Sequence, residues 1–293
     1  MSAAQFDGVL PFDVPALGVF GRLARMRGVT AEALGHHRYP QPVERLLAEL
    51  LALAAALSSR LKVVGTFTLQ IRGDGPVRLM VADYAVPGRL RGYARFDAAA
   101  VARLADDLPM AQFGRGTLVY TLDQGPETER YQGVVPLEGK TLAECLDIYF
   151  RRSQQMDAMV RAAARRGEDG VWRAGALIVE REPRAPGDAS EAGEPWREAR
   201  ALGGSVAAEE LTADGLTSTE LVWRLYGTHA PRLHETRALE FGCRCSEGRI
   251  RDALRGFPAE DLRAMAEADG RIGATCEFCG QGYRLDPAAV LAP

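Results

Sequence analysis

The chain has 293 residues, of which 47% are hydrophobic and 26% are charged, as in folded proteins with a substantial core. Its 36 basic and 39 acidic side chains give a net charge of −3, which excludes a general attraction to nucleic acid or to an anionic membrane. The first residues lack the charge and apolar pattern of a secretory signal, and no apolar stretch is long enough to cross a bilayer, so we expect a cytoplasmic protein.

The first 180 or so residues predict helices mixed with antiparallel strands. Apolar residues recur at helical spacing over 43–62, which indicates a long core helix. Alternating residues over 66–96, interrupted by two glycine-containing turns, predict an antiparallel meander. Two further alternating segments, 116–122 and 131–135, predict a hairpin.

A helix start is indicated at Thr141, because a threonine followed by Glu144 has the form of a capping box. We expect this helix to place Cys145 on its apolar face, as a buried core residue. A second helix is predicted at 156–165 and a strand at 174–180. Together these elements predict an α+β domain over residues 1–183.

A change of composition marks the end of this domain. Residues 182–200 are rich in proline, glycine and charge, which favours a linker or a mobile loop. Helical character returns over 205–226, but this segment is short and sparsely apolar, so it needs a neighbour to pack on. We therefore assign residues 184–235 to a flexible insert and a helical linker.

The tail, residues 236–293, predicts a small separate domain. One helix should begin after Ser246 and another after Pro258, followed by a hairpin around the last pair of cysteines. A unit of this size with so few large apolar side chains needs an additional cross-link to stay folded.

Four of the five cysteines supply that cross-link. They stand in two tight pairs about 30 residues apart, Cys243 with Cys245 and Cys276 with Cys279. Thiolates are soft ligands that favour zinc, and four of them close its tetrahedral shell, so we predict one structural Zn²⁺ per chain. Gly280 would let the backbone turn so that its amides point at sulfur.

The same pairs can also be oxidised, which would change how the tail is cross-linked. Zinc ties the two pairs together across the intervening helices. A disulfide within each pair would close only a short loop and would contribute much less stability. The oxidised tail should therefore unfold, so the cysteine cluster is a candidate redox switch.

With these residues in view, the sequence resembles the bacterial heat shock protein 33 family. The C-terminal match consists of LEFGCRCS at 239–246, DGRI at 269–272 and CEFCGQGY at 276–283. The N-terminal match consists of LQIRGDGP at 69–76, LRGYAR at 90–95, ERYQGVVPLEG at 129–139, LAECL at 142–146 and YF at 149–150. Matches thus spread over most of the chain, with 182–200 as the main gap.

The resemblance implies a holdase chaperone that is inactive while it is reduced and zinc-loaded. Oxidants, with heat-driven loosening of the linker, would release zinc and form the disulfides Cys243–Cys245 and Cys276–Cys279. The linker and the zinc domain would then unfold and expose a surface that binds unfolding client proteins. The resemblance also implies that oxidative activation favours a homodimer.

Two other functions fit part of the pattern. A nucleic-acid-binding zinc ribbon would need a basic, aromatic face, whereas the tail also carries many acidic residues. A thiol oxidoreductase using Cys276 and Cys279 would place the pair at a helix start in a thioredoxin-like βαβ setting, which the pattern lacks. No Ser/His/Asp set or carboxylate pair stands out in the sequence, so we expect no enzyme active site.

Overall fold

The computed structural model describes residues 6–58, 65–104, 109–125, 128–153, 156–182 and 193–291. The chain divides into two compact units, Met1–Phe241 and Gly242–Pro293. The linker boundaries expected at residues 184 and 235 stay a prediction. No helix within the described ranges is long and apolar enough to cross a membrane.

The first unit contains both helices and strands. In chain order they are β1 (Gly8–Val14), β2 (Val19–Met26), α1 (Gly28–Gly35), α2 (Gln41–Ser58), β3 (Thr66–Gly73), β4 (Val77–Ala85), β5 (Arg89–Phe96), α3 (Ala98–Val101), β6 (Gly116–Asp123), β7 (Tyr131–Pro136), α4 (Leu142–Ser153), β8 (Ala158–Arg166), β9 (Trp172–Arg181), α5 (Gly193–Gly204), α6 (Ala208–Thr212), α7 (Ser218–Tyr226), β10 (Arg232–Leu233), β11 (Arg237–Ala238) and β12 (Glu240–Phe241).

Two six-stranded sheets form the framework of this unit. Sheet A has the order β10-β1-β2-β9-β8, and β11 also pairs with β1. Sheet B has the order β12-β5-β4-β3-β6-β7, in which only the short β12 runs parallel to its neighbour. The meander β3-β4-β5 and the hairpin β6-β7 are confirmed, and so is the α+β class.

The helix predicted at 156–165 is wrong, because these residues form β8. They pair with β9 from Ala158 to Arg166, and β9 is buried along almost its whole length. The segment is rich in alanine and arginine, so its apolar residues do not separate a helical from an alternating period. This segment forms a strand because it pairs with the long, buried β9.

The predicted core helix α2 is confirmed, and it packs its apolar side chains against those of both sheets. Leu46, Leu47, Leu50 and Leu51 are almost fully buried and share one core cluster with residues of both sheets. The predicted extension to residue 62 lies outside the described residues.

One half of the predicted capping box at the start of α4 is present, and in the other half the Glu144 carboxylate binds the N–H of Lys140 in place of that of Thr141. The Thr141 hydroxyl accepts a bond from the Glu144 N–H at 3.1 Å, and the Glu144 carboxylate accepts one from the Lys140 N–H at 2.7 Å. Cys145 is fully buried, as predicted, and burial raises the pKa of its thiol.

A second apolar cluster covers the face of sheet A that points away from α2. Residues 193–226, here called the cover, carry α5, α6 and α7 across this face. Its apolar side chains pack against those of the sheet, with Trp196, Leu221, Val222, Leu225 and Tyr226 on the cover and Leu10, Phe12, Leu23, Leu177 and Val179 on the sheet.

The cover corrects one prediction and confirms another. The loop predicted at 182–200 is wrong for residues 193–200, which belong to α5, and residues 183–192 lie outside the described ranges. Helix α5 forms because Trp196 and Ala199 are buried on its inner side, which outweighs the polar composition. The neighbour that residues 205–226 need for packing is sheet A.

The second unit consists of α8 (Glu247–Leu254), α9 (Ala259–Ala264), β13 (Ile272–Thr275), β14 (Gly282–Leu285) and α10 (Pro287–Leu291). Both predicted helices and the hairpin β13-β14 are confirmed. The Ser246 hydroxyl accepts a bond from the Arg249 N–H at 3.3 Å, which caps α8. Four side chains are fully buried in this unit's core cluster, Leu262, Ile272, Leu285 and Val290.

Candidate metal centre

The four cysteines predicted as metal ligands come together in the second unit. All four sulfur atoms lie within 4.8 Å of one another. The Sγ atoms of Cys243 and Cys276 are 3.6 Å apart, and those of Cys245 and Cys279 are 3.5 Å apart. Around a tetrahedral zinc with Zn–S bonds of about 2.3 Å, neighbouring sulfurs would stand about 3.8 Å apart. The arrangement therefore fits a four-thiolate zinc centre.

The sulfurs are not bonded to one another. None of the four cysteines forms a disulfide, and the two separations given above far exceed the roughly 2.05 Å of an S–S bond. The cluster thus has the form expected of the reduced protein.

The second pair is held by a tight turn between β13 and β14. The Cys276 carbonyl accepts a bond from the Gly280 N–H at 2.8 Å, and the Cys276 N–H donates to the Gln281 carbonyl at 2.9 Å. Gly280 has φ of 71°, a left-handed conformation that strains any residue with a Cβ. The left-handed turn therefore favours the predicted glycine at this position.

The turn also aims backbone amides at sulfur. The N–H groups of Phe278 and Cys279 bond to the Cys276 sulfur, and the N–H of Gln281 bonds to the Cys279 sulfur. These bonds favour the thiolate, but burial outweighs them, and the pKa of Cys276 is raised. Burial and the neighbouring thiols raise the pKa of Cys279 to about 12.

Cys243 differs from its neighbours. Burial opposes its ionisation, but the Cys245 N–H and the neighbouring thiols outweigh burial and lower its pKa to about 7. One negative charge in the cluster therefore makes further ionisation unfavourable for Cys276 and Cys279. A bound divalent cation removes that conflict, because it pairs with all four thiolates at once.

The first pair precedes α8. Cys245 is followed directly by the capping residue Ser246, so the helix start fixes the direction in which the chain leaves the cluster. The second pair lies in the turn of a β-hairpin and not at the start of a helix. This setting differs from the one that a thioredoxin-like oxidoreductase would require.

Sequence reasoning missed one side chain of the site. The Tyr283 hydroxyl on β14 donates a hydrogen bond to the Cys245 sulfur at 3.1 Å. The bond to Cys245, with a smaller contribution from burial, raises the pKa of Tyr283 to about 12. The available signal was its position four residues after Cys279 on the predicted hairpin, but the contact with the distant first pair depends on tertiary structure.

Nearly the whole chain is similar in sequence to known proteins. The family model described as Hsp33 protein matches residues 7–286. The chain is 41% identical to the 33 kDa chaperonin of Caulobacter vibrioides, over 96% of this chain and 95% of that protein. It is 38% identical to the 33 kDa chaperonin of Serratia proteamaculans, over 94% and 90% of the two chains.

A solved structure shows the same fold. The crystal structure of the 33 kDa chaperonin from Thermotoga maritima superposes with a TM-score of 0.79 at 22% sequence identity. The match covers 97% of this chain and 96% of that chain. The similarity therefore extends over both units of the sequence and not over the cysteine motifs alone.

Proposed function

Because this chain belongs to the heat shock protein 33 family, we propose that it is a redox-regulated holdase of the cytoplasm that binds unfolding client proteins during oxidative and heat stress. Members of this family are molecular chaperones and not enzymes. The observation that carries the redox part of the proposal is the cluster of four thiols within 4.8 Å in a small unit.

The small core makes the second unit depend on its ligands. The four fully buried side chains of this core are few for a unit of this size. When zinc is bound, it cross-links all four thiolates, and such sites contribute on the order of 10 kcal/mol to folding. Cys243, Cys245, Cys276 and Cys279 would hold it in the reduced protein.

Oxidation removes the ligands. In each pair two thiols form one S–S bond and give up two electrons and two protons to hydrogen peroxide, whose O–O bond breaks to yield two waters. We assign the disulfides to Cys243–Cys245 and Cys276–Cys279. Only one or two residues separate the members of each pair, so they remain neighbours when the rest of the unit unfolds. Zinc is released with the loss of its thiolates.

Unfolding of the second unit would then expose client-binding surface on the first. The chain reaches Cys243 only two residues after β12, and the segment before β12 is the continuation of the cover. The sheet residues beneath the cover, among them Leu10, Phe12 and Leu177, form an apolar face. Release of the cover would leave this face open to the apolar segments of unfolding proteins. The same exposed surface would favour a homodimer.

The direct test is suppression of aggregation of a thermally unfolding enzyme, followed by light scattering. Peroxide-treated protein should suppress aggregation, whereas reduced, zinc-loaded protein should not. Oxidation should release one zinc per chain and lower the free thiols from the five of the sequence to one. Cys145→Ala, which removes the thiol outside the cluster, should activate as the wild type does. Equal activity of the reduced and oxidised proteins would refute the redox switch.

A further inference from the structure

Arg25 on β2 is a charged side chain beneath the cover. It is 1% exposed, and its Nε donates to the Leu211 carbonyl at 3.0 Å. Its two Nη atoms donate to the carbonyl oxygens of Ala213 and Leu216. Burial lowers its pKa to about 10, which still leaves the guanidinium charged at neutral pH. One arginine thus binds three main-chain carbonyls, of which one is at the end of α6 and two are in the turn between α6 and α7.

Arg173 on the neighbouring strand β9 binds the same turn. Its Nη2 lies 2.7 Å from the Asp214 carboxylate and 2.8 Å from that of Asp169. The Arg173 side chain is 7% exposed, whereas Asp214 is 51% exposed. Asp214 stands between the residues whose carbonyls bind Arg25, so both arginines hold one short stretch, residues 211–216.

This turn lies directly on the sheet. A Cβ on Gly175 of β9 would stand 2.6 Å from the Leu211 carbonyl oxygen, so only glycine permits the approach. At such a distance little room remains for water beside the turn. The guanidinium of Arg25 therefore provides hydrogen-bond donors that solvent would otherwise supply.

We propose that Arg25 and Arg173 form a clamp that holds the cover on sheet A in the reduced protein. They thereby set how readily the apolar face becomes available to clients. The clamp rests on the proposed function, since it names residues that would control the step from the inactive to the active form. These are positioning residues, which hold the cover and need not touch a client.

The clamp and the apolar contacts of the cover differ in kind. The apolar contacts of α5 and α7 are non-directional and tolerate small movements, whereas the bonds to the clamp require three carbonyls to converge on one guanidinium. Because the bonds go to main-chain atoms, they depend on the folded shape of residues 211–216. Local unfolding of the turn would break them together, so the clamp makes release of the cover cooperative.

The chain offers a matched control. Arg165 on β8 also pairs with the cover, through Glu209 at 3.7 Å, but the two side chains are 54% and 67% exposed. A surface pair of this kind contributes little to stability. Arg165→Met therefore removes one arginine contact with α6 and leaves the clamp intact.

The experiment compares Arg25→Met, Arg25→Lys and Arg165→Met with the wild type, all reduced and carrying one zinc per chain. Hydrogen exchange of residues 208–226 should be at least about tenfold faster in Arg25→Met, because bonds to a charged group are lost. Arg25→Lys keeps the charge without the fork of donors and should lie between Arg25→Met and the wild type. Arg165→Met should match the wild type.

The functional readout uses the same samples without oxidant. Arg25→Met should suppress client aggregation while it retains its zinc and the exchange protection of β3 to β5. Unchanged exchange over 208–226 would overturn the clamp. Faster exchange without client binding, in a preparation whose oxidised wild type is active, would overturn its regulatory role. If exchange is faster in Arg25→Met but the oxidised wild type does not suppress aggregation, the clamp is supported and the proposed holdase function is refuted.

A second variant guards against misfolding of Arg25→Met. Asp214→Asn changes a half-exposed residue of the turn and leaves the sheet unaltered. It should also speed exchange over 208–226 in the reduced protein, by a smaller factor than Arg25→Met. If Arg25→Met fails to fold, wild-type exchange in Asp214→Asn refutes the clamp.

Discussion

The most direct quantitative prediction concerns Glu49, a carboxyl group in the middle of the core helix α2. Its flanking residues Ala48 and Leu50 are fully buried. Burial raises the pKa of Glu49 from 4.5 to about 7, although the charge of Arg45 acts in the opposite direction. We expect Glu49→Gln to stabilise the first unit at pH 8, because the amide carries no charge that burial would penalise.

The sign and the size of this stability change follow from the linkage between protonation of the carboxyl group and folding. A carboxyl whose pKa is higher in the folded than in the unfolded protein favours folding at low pH. That contribution is present below the unfolded pKa of 4.5 and is lost as the pH rises through the folded value of about 7. A shift of this size corresponds to at most about 3 kcal/mol, and since Glu49 keeps partial exposure we expect a gain on the order of 2 kcal/mol at pH 8.

Urea denaturation followed by tryptophan fluorescence measures this difference. The three tryptophans, Trp172, Trp196 and Trp223, all lie in the first unit, so the signal does not report the cysteine cluster. Glu32→Gln, at an exposed position of α1, is the matched control. Glu49→Gln should gain stability over wild type between pH 5 and pH 8, and the control should not. A constant difference between the two proteins across this range would refute the reasoning.

Three further predictions concern the second unit. Tyr283→Phe removes the hydrogen bond to Cys245, so zinc affinity should fall about tenfold in a chelator competition, and unchanged affinity would contradict the role of the hydroxyl. Gly280→Ala places a Cβ on a residue with φ of 71° and should weaken zinc binding by about 1–2 kcal/mol in the same assay, whereas Gly248→Ala, inside α8, should not. Chelation of zinc from the reduced protein should abolish exchange protection in α8, α9 and the β13-β14 hairpin while the protection of β3 to β5 persists, and retained protection of the hairpin would show that the core holds the unit without metal.

Local signals carried most of what the sequence predicted. The clustering of Cys243, Cys245, Cys276 and Cys279 could be predicted because the two members of each pair are close in sequence. The strands β3, β4 and β5 could be identified because their alternation is regular and their turns contain glycine. These features depend on residues that are close in sequence, so they can be recognised in a single amino-acid sequence.

The errors came from contacts between distant residues. The strand β8 forms because β9 is available to pair with it, and α5 forms because sheet A offers an apolar face to Trp196. The bond from Tyr283 to Cys245 and those from Arg25 to the turn of the cover join elements far apart in the chain. Periodicity and composition describe only residues that are close in sequence, so they do not predict contacts with distant partners.

The short strands β10, β11 and β12 have a consequence for synthesis of the protein. Strands β10 and β11 pair with β1 of sheet A, and β12 pairs with β5 of sheet B, so one stretch of ten residues closes an edge of both sheets. The pairing of Phe12 with Leu233 joins residues roughly 220 positions apart. A nascent chain on the ribosome therefore keeps the edges of β1 and β5 open until roughly four-fifths of the protein has been made. During that interval this chain presents the kind of unpaired strand edge that promotes aggregation.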